Sequence, residues 1–237
     1  MDIVRSLTYV LDDPDWLNKL LITAIVTALS ALLTPVFVGL LGWAALLGYM
    51  IELVRNVRLG DKYPMPNWND FNRYLSTGFN VLAAFVIYSL PNLAVGCTST
   101  VLAQNLNSGL VGSTMTFVLS CCLFPILLVY SLVTFPLLAL GIARYSEDPR
   151  LNVFFDFNFL FETLRQNLGT VVQWWLAVIV VDLVLIVIGI FPLLGWVFDA
   201  ALVIPVYGML IGQFGLAIFG GLKNKPAPPA PAPIYRR

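Results

Sequence analysis

YLSTGFNVLAAFVIYSLPNLAVGCTSTVLAQNLNSGLVGSTMTFVLSCCLFPILLVYSLVTFPLLALGIA, residues 74–143, is a run of 70 residues without one Asp, Glu, Lys, Arg or His. A helix that crosses the hydrocarbon of a bilayer needs about 20 mostly apolar residues. The run therefore holds two spans and a connector. The spans are predicted at about 74–95, stopping near Pro91-Asn92, and about 116–143, which carries Pro125 and Pro136. Between them, QNLNSGLVGS at 104–113 is polar, glycine-bearing and uncharged. Interior prolines are tolerated in membrane helices where neighbours supply the freed carbonyls with donors.

Two further apolar stretches flank this one. Leu20–Ile51 carries Pro35 in its middle. The residue before a proline is pushed out of the helical region, so Thr34-Pro35 divides the stretch into spans at about 16–34 and 36–55. One long kinked helix is the alternative, and it would move the 55–73 loop to the far side. Gly169–Leu222, punctuated by Phe191-Pro192 and Gly195, gives spans at about 171–190 and 194–221. Trp174 and Trp175 stand where an aromatic belt is expected. The expected domains are an N-terminal interfacial segment at 1–15, a six-helix transmembrane domain at 16–222, and a flexible Pro/Ala-rich tail at 223–237.

Composition agrees. The 237 residues are 59% hydrophobic and 11% charged, with mean hydropathy +0.87, against about 25% charged for soluble domains. The formal charge is zero, which argues against nucleic acid as a partner. With no histidine, Ser-His-Asp and Cys-His catalysis are excluded and the commonest metal ligand is missing. Cys97, Cys121 and Cys122 are too few for a structural zinc site. No phosphate-binding loop or dinucleotide fingerprint is present. The reading is non-catalytic, with no cofactor-binding or metal residues.

The basic residues sort by connection. Arg5 and Lys19 precede span one; Arg55, Arg58, Lys62 and Arg73 lie between two and three; Arg144, Arg150 and Arg165 lie between four and five; Lys223, Lys225, Arg236 and Arg237 follow six. These are all 13 basic residues of the chain, and the other three connections carry none. The positive-inside rule places both termini in the cytoplasm, and no cleavable signal peptide is read at the start. Ile3, Val4, Leu7, Val10 and Leu11 share a helical face, which suits a helix in the headgroup layer or an extension packed on the bundle.

The three hairpins resemble one another. Their openings are Asp15-Trp16, Asp70-Phe71-Asn72 and Asp156-Phe157-Asn158, and each returns past a glycine (Gly48, Gly141, Gly215) to a basic exit. This suggests triplication; hairpins obeying the same interfacial rules are the alternative. The segments around Phe154–Phe161 and at 66–75 both read as interfacial helices.

Few residues carry candidate chemistry. Asp182 and Asp199 fall within spans five and six at depths that differ by roughly 5 Å, so their carboxylates are expected to face each other. A proton or cation relay and a pair that pins two helices are the two readings. Cys97 with Cys121 is a candidate disulfide, against apolar packing. Arg55, Arg58 and Lys62 are candidate lipid headgroup contacts. Ala44-x-x-x-Gly48 and Gly208-x-x-x-Gly212 are close-approach motifs, within the bundle or between copies.

Asp13-Pro14-Asp15-Trp16-Leu17, Gly48-Tyr49 followed by Leu53-Val54-Arg55, and Pro66-Asn67-Trp68-Asn69-Asp70 resemble motifs of a family of small prokaryotic multi-spanning membrane proteins known as a domain of unknown function. The likeness covers most of residues 9–222. It implies a six-helix protein of the prokaryotic cytoplasmic membrane and transfers no catalytic or ligand residue. The expected function is that of an accessory or structural subunit of a membrane assembly, with membrane lipids and a membrane protein as partners, the latter docking on the tail at 224–237. A small-solute, lipid or ion transporter using Asp182 and Asp199 is the alternative.

Overall fold

The computed structural model describes residues 1–106, 110–190 and 194–222. The Phe191-Pro192 turn, part of the 104–113 connector and the tail from Lys223 lie outside these. The described residues form eight α-helices with short 3-10 turns and no strand: α1 Ile3–Thr8, α2 Trp16–Leu33, α3 Gly39–Leu59, α4 Phe71–Leu106, α5 Leu110–Tyr145, α6 Phe157–Gln166, α7 Leu168–Gly189 and α8 Leu194–Phe219. Six of them (α2, α3, α4, α5, α7 and α8) are long and apolar enough to cross a membrane, and they pair in chain order as three hairpins.

The chain breaks where Pro35 requires. α2 ends at Leu33, a 3-10 turn covers Thr34–Val36, and Phe37 takes a left-handed φ of 62° before α3 starts. Two helices, not one kinked one, occupy the first stretch. α3 runs further than its hydropathy predicts and stops at Gly60, whose φ of 71° lets its N–H close on Asn56 and Val57; only glycine adopts that conformation without strain.

α4 and α5 correct the expected connector, because helix occupies most of it. α4 passes through Pro91 and runs 36 residues. Its hydroxyls do not end it: Thr98 donates to the Ala94 carbonyl and Thr100 to that of Gly96, so these polar residues are satisfied within the helix. At Pro136 the missing N–H leaves the Leu132 carbonyl four residues back without its helical donor, and the Trp175 indole N–H bonds it at 3.2 Å.

α3 and α8 are the most enclosed spans, 56% buried each. Small residues let the backbones meet. A methyl added at Gly48 would stand 1.9 Å from the Tyr74 carbonyl oxygen, and one at Gly78 1.7 Å from that of Ala44. Ala44-x-x-x-Gly48 thus crosses Tyr74-x-x-x-Gly78. Gly208 and Gly212 press on Leu53 and Val57 of α3 in the same way. Both motifs serve packing within the bundle.

Three more expectations need correction. Residues 66–70 are not an interfacial helix: the non-helical 61–70 segment turns back along α3 and buries Pro64, Met65 and Pro66. Trp174 is fully buried against Phe135 and Phe214 rather than in a belt. The Asp-Phe-Asn of the third hairpin opens α6, not the span itself, so the openings of the second and third hairpins are built differently. α6 does carry the expected exposed phenylalanines, Phe157, Phe159 and Phe161, while Leu160 is buried. α1 packs on α8: Gln213 exchanges hydrogen bonds with the Asp2 main chain and donates to Ser6, and the Tyr9 hydroxyl donates to the Pro205 carbonyl at 2.9 Å.

Candidate functional site

Asp182 lies on α7 and Asp199 on α8, both half-buried. The structure gives Asp182 a different partner from the expected one. The Tyr207 hydroxyl of α8 donates to Asp182 Oδ1 at 2.5 Å. Asp199 Oδ1 is buried and has no hydrogen-bond partner. Helix geometry explains the substitution. Every Cα–Cβ bond tilts toward its helix N-terminus. In an antiparallel hairpin, Asp182 therefore leans away from the connecting turn, while Tyr207 leans toward it. Those two side chains converge. Tyr207 was legible from this rule, being about five residues deeper than Asp182, some 7 Å, which opposite tilts and a phenol close.

The other candidates are dispersed. Cys97, Cys121 and Cys122 are free and exposed. Arg55 and Lys62 are exposed. Arg58 is not a lipid contact, being 1% exposed. Its Nη1 donates to the Ala143 carbonyl at 2.7 Å and Ser146 Oγ at 3.3 Å, and its Nη2 to the Gly220 carbonyl at 3.1 Å and to Glu147. Among the described residues, no group of three or more His, Cys, Asp or Glu side chains is arranged to hold a metal.

The motifs that carry the family likeness meet at one place. Trp68 stacks on Tyr49 with ring centroids 4.6 Å apart, and Tyr74 stands edge-on to both. The Tyr74 hydroxyl donates to the Asn67 carbonyl at 2.6 Å. Lys19 Nζ bonds buried Asp13 at 2.6 Å and the Met65 carbonyl at 2.9 Å. Asp13 also accepts from the Asp15 N–H. These residues clasp the returning loop to α2 and α3, and within the cluster the buried Tyr49 hydroxyl has no hydrogen-bond partner.

A shallow cleft of about 530 Å³ runs along α4, lined by Ser89, Asn92, Leu93, Gly96, Cys97, Thr100 and Val101. Asn92 Nδ2 donates to Ser131 of α5 at 3.3 Å, while its Oδ1 is buried without a partner. A methyl added at Gly96 would meet, among the described residues, nothing within 4 Å beyond its chain neighbours and its own helix's backbone. No described residue between Ser89 and Phe135 is buried. The far half of the α4–α5 hairpin thus forms an arm outside the core.

Six apolar helices whose polar interior groups mostly bond one another define a polytopic α-helical membrane protein. Its exposed aliphatic and aromatic side chains, Leu32, Ile126 and Ile186 among them, face lipid. The chain belongs to the family described as "Protein of unknown function (DUF4013)", which residues 28–194 match. The Asp13–Leu17 motif precedes the matched segment. No curated protein and no solved structure matches the chain.

Proposed function

We propose that the protein is a non-catalytic subunit of an assembly in the prokaryotic cytoplasmic membrane, with both termini in the cytoplasm, and that the α4–α5 arm receives a transmembrane helix of another protein. The arm carries this reading. It is uncharged, none of its described residues is buried, and its cleft offers a glycine for close backbone approach beside an asparagine oxygen that lacks a donor. Small residues with a polar group are what helix pairs use in lipid, where no hydrophobic force drives association. The sorting of the cations supports the orientation. The tail at 224–237, outside the described residues, is a second candidate for docking.

Affinity capture in a gentle detergent tests this, comparing the wild type, a chain lacking residues 224–237, and Gly96→Leu. A Cβ at Gly96 meets nothing within 4 Å beyond its own helix backbone and chain neighbours, so leucine there adds bulk at the cleft, where no described residue is buried. The expected result is a defined partner on the wild type, lost from Gly96→Leu while its melting temperature is unchanged. A partner retained by Gly96→Leu, or a wild type that purifies alone, overturns the reading.

Proton or cation transport is the second reading, favoured by the unpartnered Asp199 oxygen in the hairpin whose Asp182 is bonded by Tyr207. Neither described cleft includes these residues, which keeps it second. Potential-driven proton uptake into vesicles, abolished in Asp182→Asn with Asp199→Asn, would raise it.

A further inference from the structure

Lys19, Arg58, Arg73, Arg144 and Arg150 are each ion-paired. Of the described cations in none of these pairs, Arg5, Arg55, Lys62 and Arg165, two, Arg5 and Lys62, line a single cleft of about 610 Å³ between α1 and the turn after α3. They stand 57 positions apart in the sequence, and the packing of α1 on α8 brings Arg5 beside Lys62 at the end of α3. Two carboxylates share the cleft. Asp2 is engaged, its Oδ1 accepting the Arg5 N–H as the cap of α1 at 2.9 Å. Asp12 is exposed and takes part in no ion pair of the described set. Tyr63 adds a half-exposed ring over which Lys62 Nζ stands at 5.1 Å. Val4, 70% exposed, adds an apolar wall. Leu11, next to the cleft residue Asp12 in sequence, is exposed on the 3-10 turn that follows α1.

We propose that this cleft binds the headgroup of an amine-bearing zwitterionic phospholipid of the ethanolamine type. Arg5 and Lys62 supply a two-point clamp for the phosphodiester, which guanidinium and ammonium groups bind by charge-assisted hydrogen bonds. Asp12 supplies an acceptor for the primary ammonium at the other end of the headgroup, and Val4 and Leu11 lie along the start of the acyl chains. A purely anionic headgroup satisfies the clamp but sets its charge against Asp12 and Asp2. A choline headgroup has no N–H for Asp12. The position suits the ligand, because only the Tyr9–Asp12 turn and three further residues separate α1 from the first span at Trp16, which keeps the cleft near headgroup level. The cleft differs from the Arg55, Arg58 and Lys62 cluster expected from the sequence: Lys62 belongs to it, Arg55 does not line it, and Arg58 is buried.

Native mass spectrometry of the full chain, released from detergent containing equal amounts of phosphatidylethanolamine, phosphatidylglycerol and phosphatidylcholine, tests the assignment. The wild type is expected to retain phosphatidylethanolamine preferentially. Arg5→Gln and Lys62→Gln are each expected to lower that retention about fivefold, the equivalent of ~1 kcal/mol per basic residue at a lipid surface. Asp12→Asn should keep the lipid bound but erase the preference over phosphatidylglycerol. Arg55→Gln, removing an exposed cation near the same end, should change nothing. Preference for phosphatidylglycerol in the wild type, equal losses from Arg55→Gln and Arg5→Gln, or retained selectivity in Asp12→Asn would each overturn the proposal. Adding inorganic phosphate separates a lipid site from a phosphate site: millimolar phosphate that displaces the lipid completely would also overturn it.

Discussion

The Arg58 guanidinium sits where the last turns of α5 and α8 leave carbonyls without helical partners. It bonds Ala143 and Gly220, adds Ser146 and Glu147, and lies 5.7 Å from the Phe219 ring centre. A cation at helix C-termini is favoured by the aligned peptide dipoles, and only the planar fork of arginine reaches several acceptors at once. Arg58→Ala should cost about 3–5 kcal/mol, the range for breaking a buried charged network, read as a lowered melting temperature of the purified protein. Arg58→Lys should recover less than half of it, since one ammonium does not span the same acceptors. An unchanged melting temperature in Arg58→Ala would make the site incidental. Tyr9 shows the same tie between the N-terminal segment and the bundle. Burial pushes its hydroxyl well above the ordinary value, so it stays protonated and donates to Pro205 through the physiological range. In the sequence, Arg58 was one basic residue of four in a loop; nothing local marked it as the buried one, because its acceptors come from residues more than 80 positions away.

Where elements meet, the geometry is set by residues without side chains. Ala44-x-x-x-Gly48 against Tyr74-x-x-x-Gly78 lets two backbones touch, and no rotamer change relieves a clash with a carbonyl oxygen. Gly48→Ala and Gly78→Ala should each destabilise by at least the roughly 1–3 kcal/mol typical of overpacking, while Gly189→Ala, where an added methyl meets nothing within 4 Å, should be neutral or slightly stabilising. Thermal melts of the three variants in one detergent decide it; equal melting temperatures would contradict the crossing. The small-residue spacing was legible, because it follows helical period. The return of residues 61–70 was not. Its backbone has no period, and what pins it, Trp68 on Tyr49 and Lys19 on the Met65 carbonyl, is tertiary. The Trp174-Trp175 pair misled for a related reason. Adjacent helical residues point about 100° apart, so one entered the core and the other bonded a carbonyl freed by Pro136, and a belt reading treats them alike.

At the scale of the whole molecule, hydropathy and charge made the six spans legible, because bilayer thickness and the cost of burying charge act on composition alone. The pairing of Asp182 with Tyr207 and the isolation of the α4–α5 arm depend on tilt and packing, which composition does not encode. The same charge pattern has a consequence that can be measured. Every described Lys and Arg belongs to one end of the bundle, with the α3–α4 and α5–α6 connections and α1; the α2–α3 turn at the other end has none. If positive charge set the orientation during insertion, that turn faces outward. In a variant with Cys97, Cys121 and Cys122 replaced by serine, a single cysteine at Val36, 61% exposed, should react with a membrane-impermeant maleimide in intact cells. A single cysteine at Lys62 or Arg5 should react only after the membrane is opened. Lys62 and Arg5 test different segments, one following α3 and one preceding α2, so their agreement is itself a requirement of an even number of crossings between the N-terminus and that loop. Labelling of Lys62→Cys but not Val36→Cys in intact cells would invert the topology and place the proposed lipid cleft in the outer leaflet. Opposite accessibility of Arg5→Cys and Lys62→Cys would break the hairpin order itself.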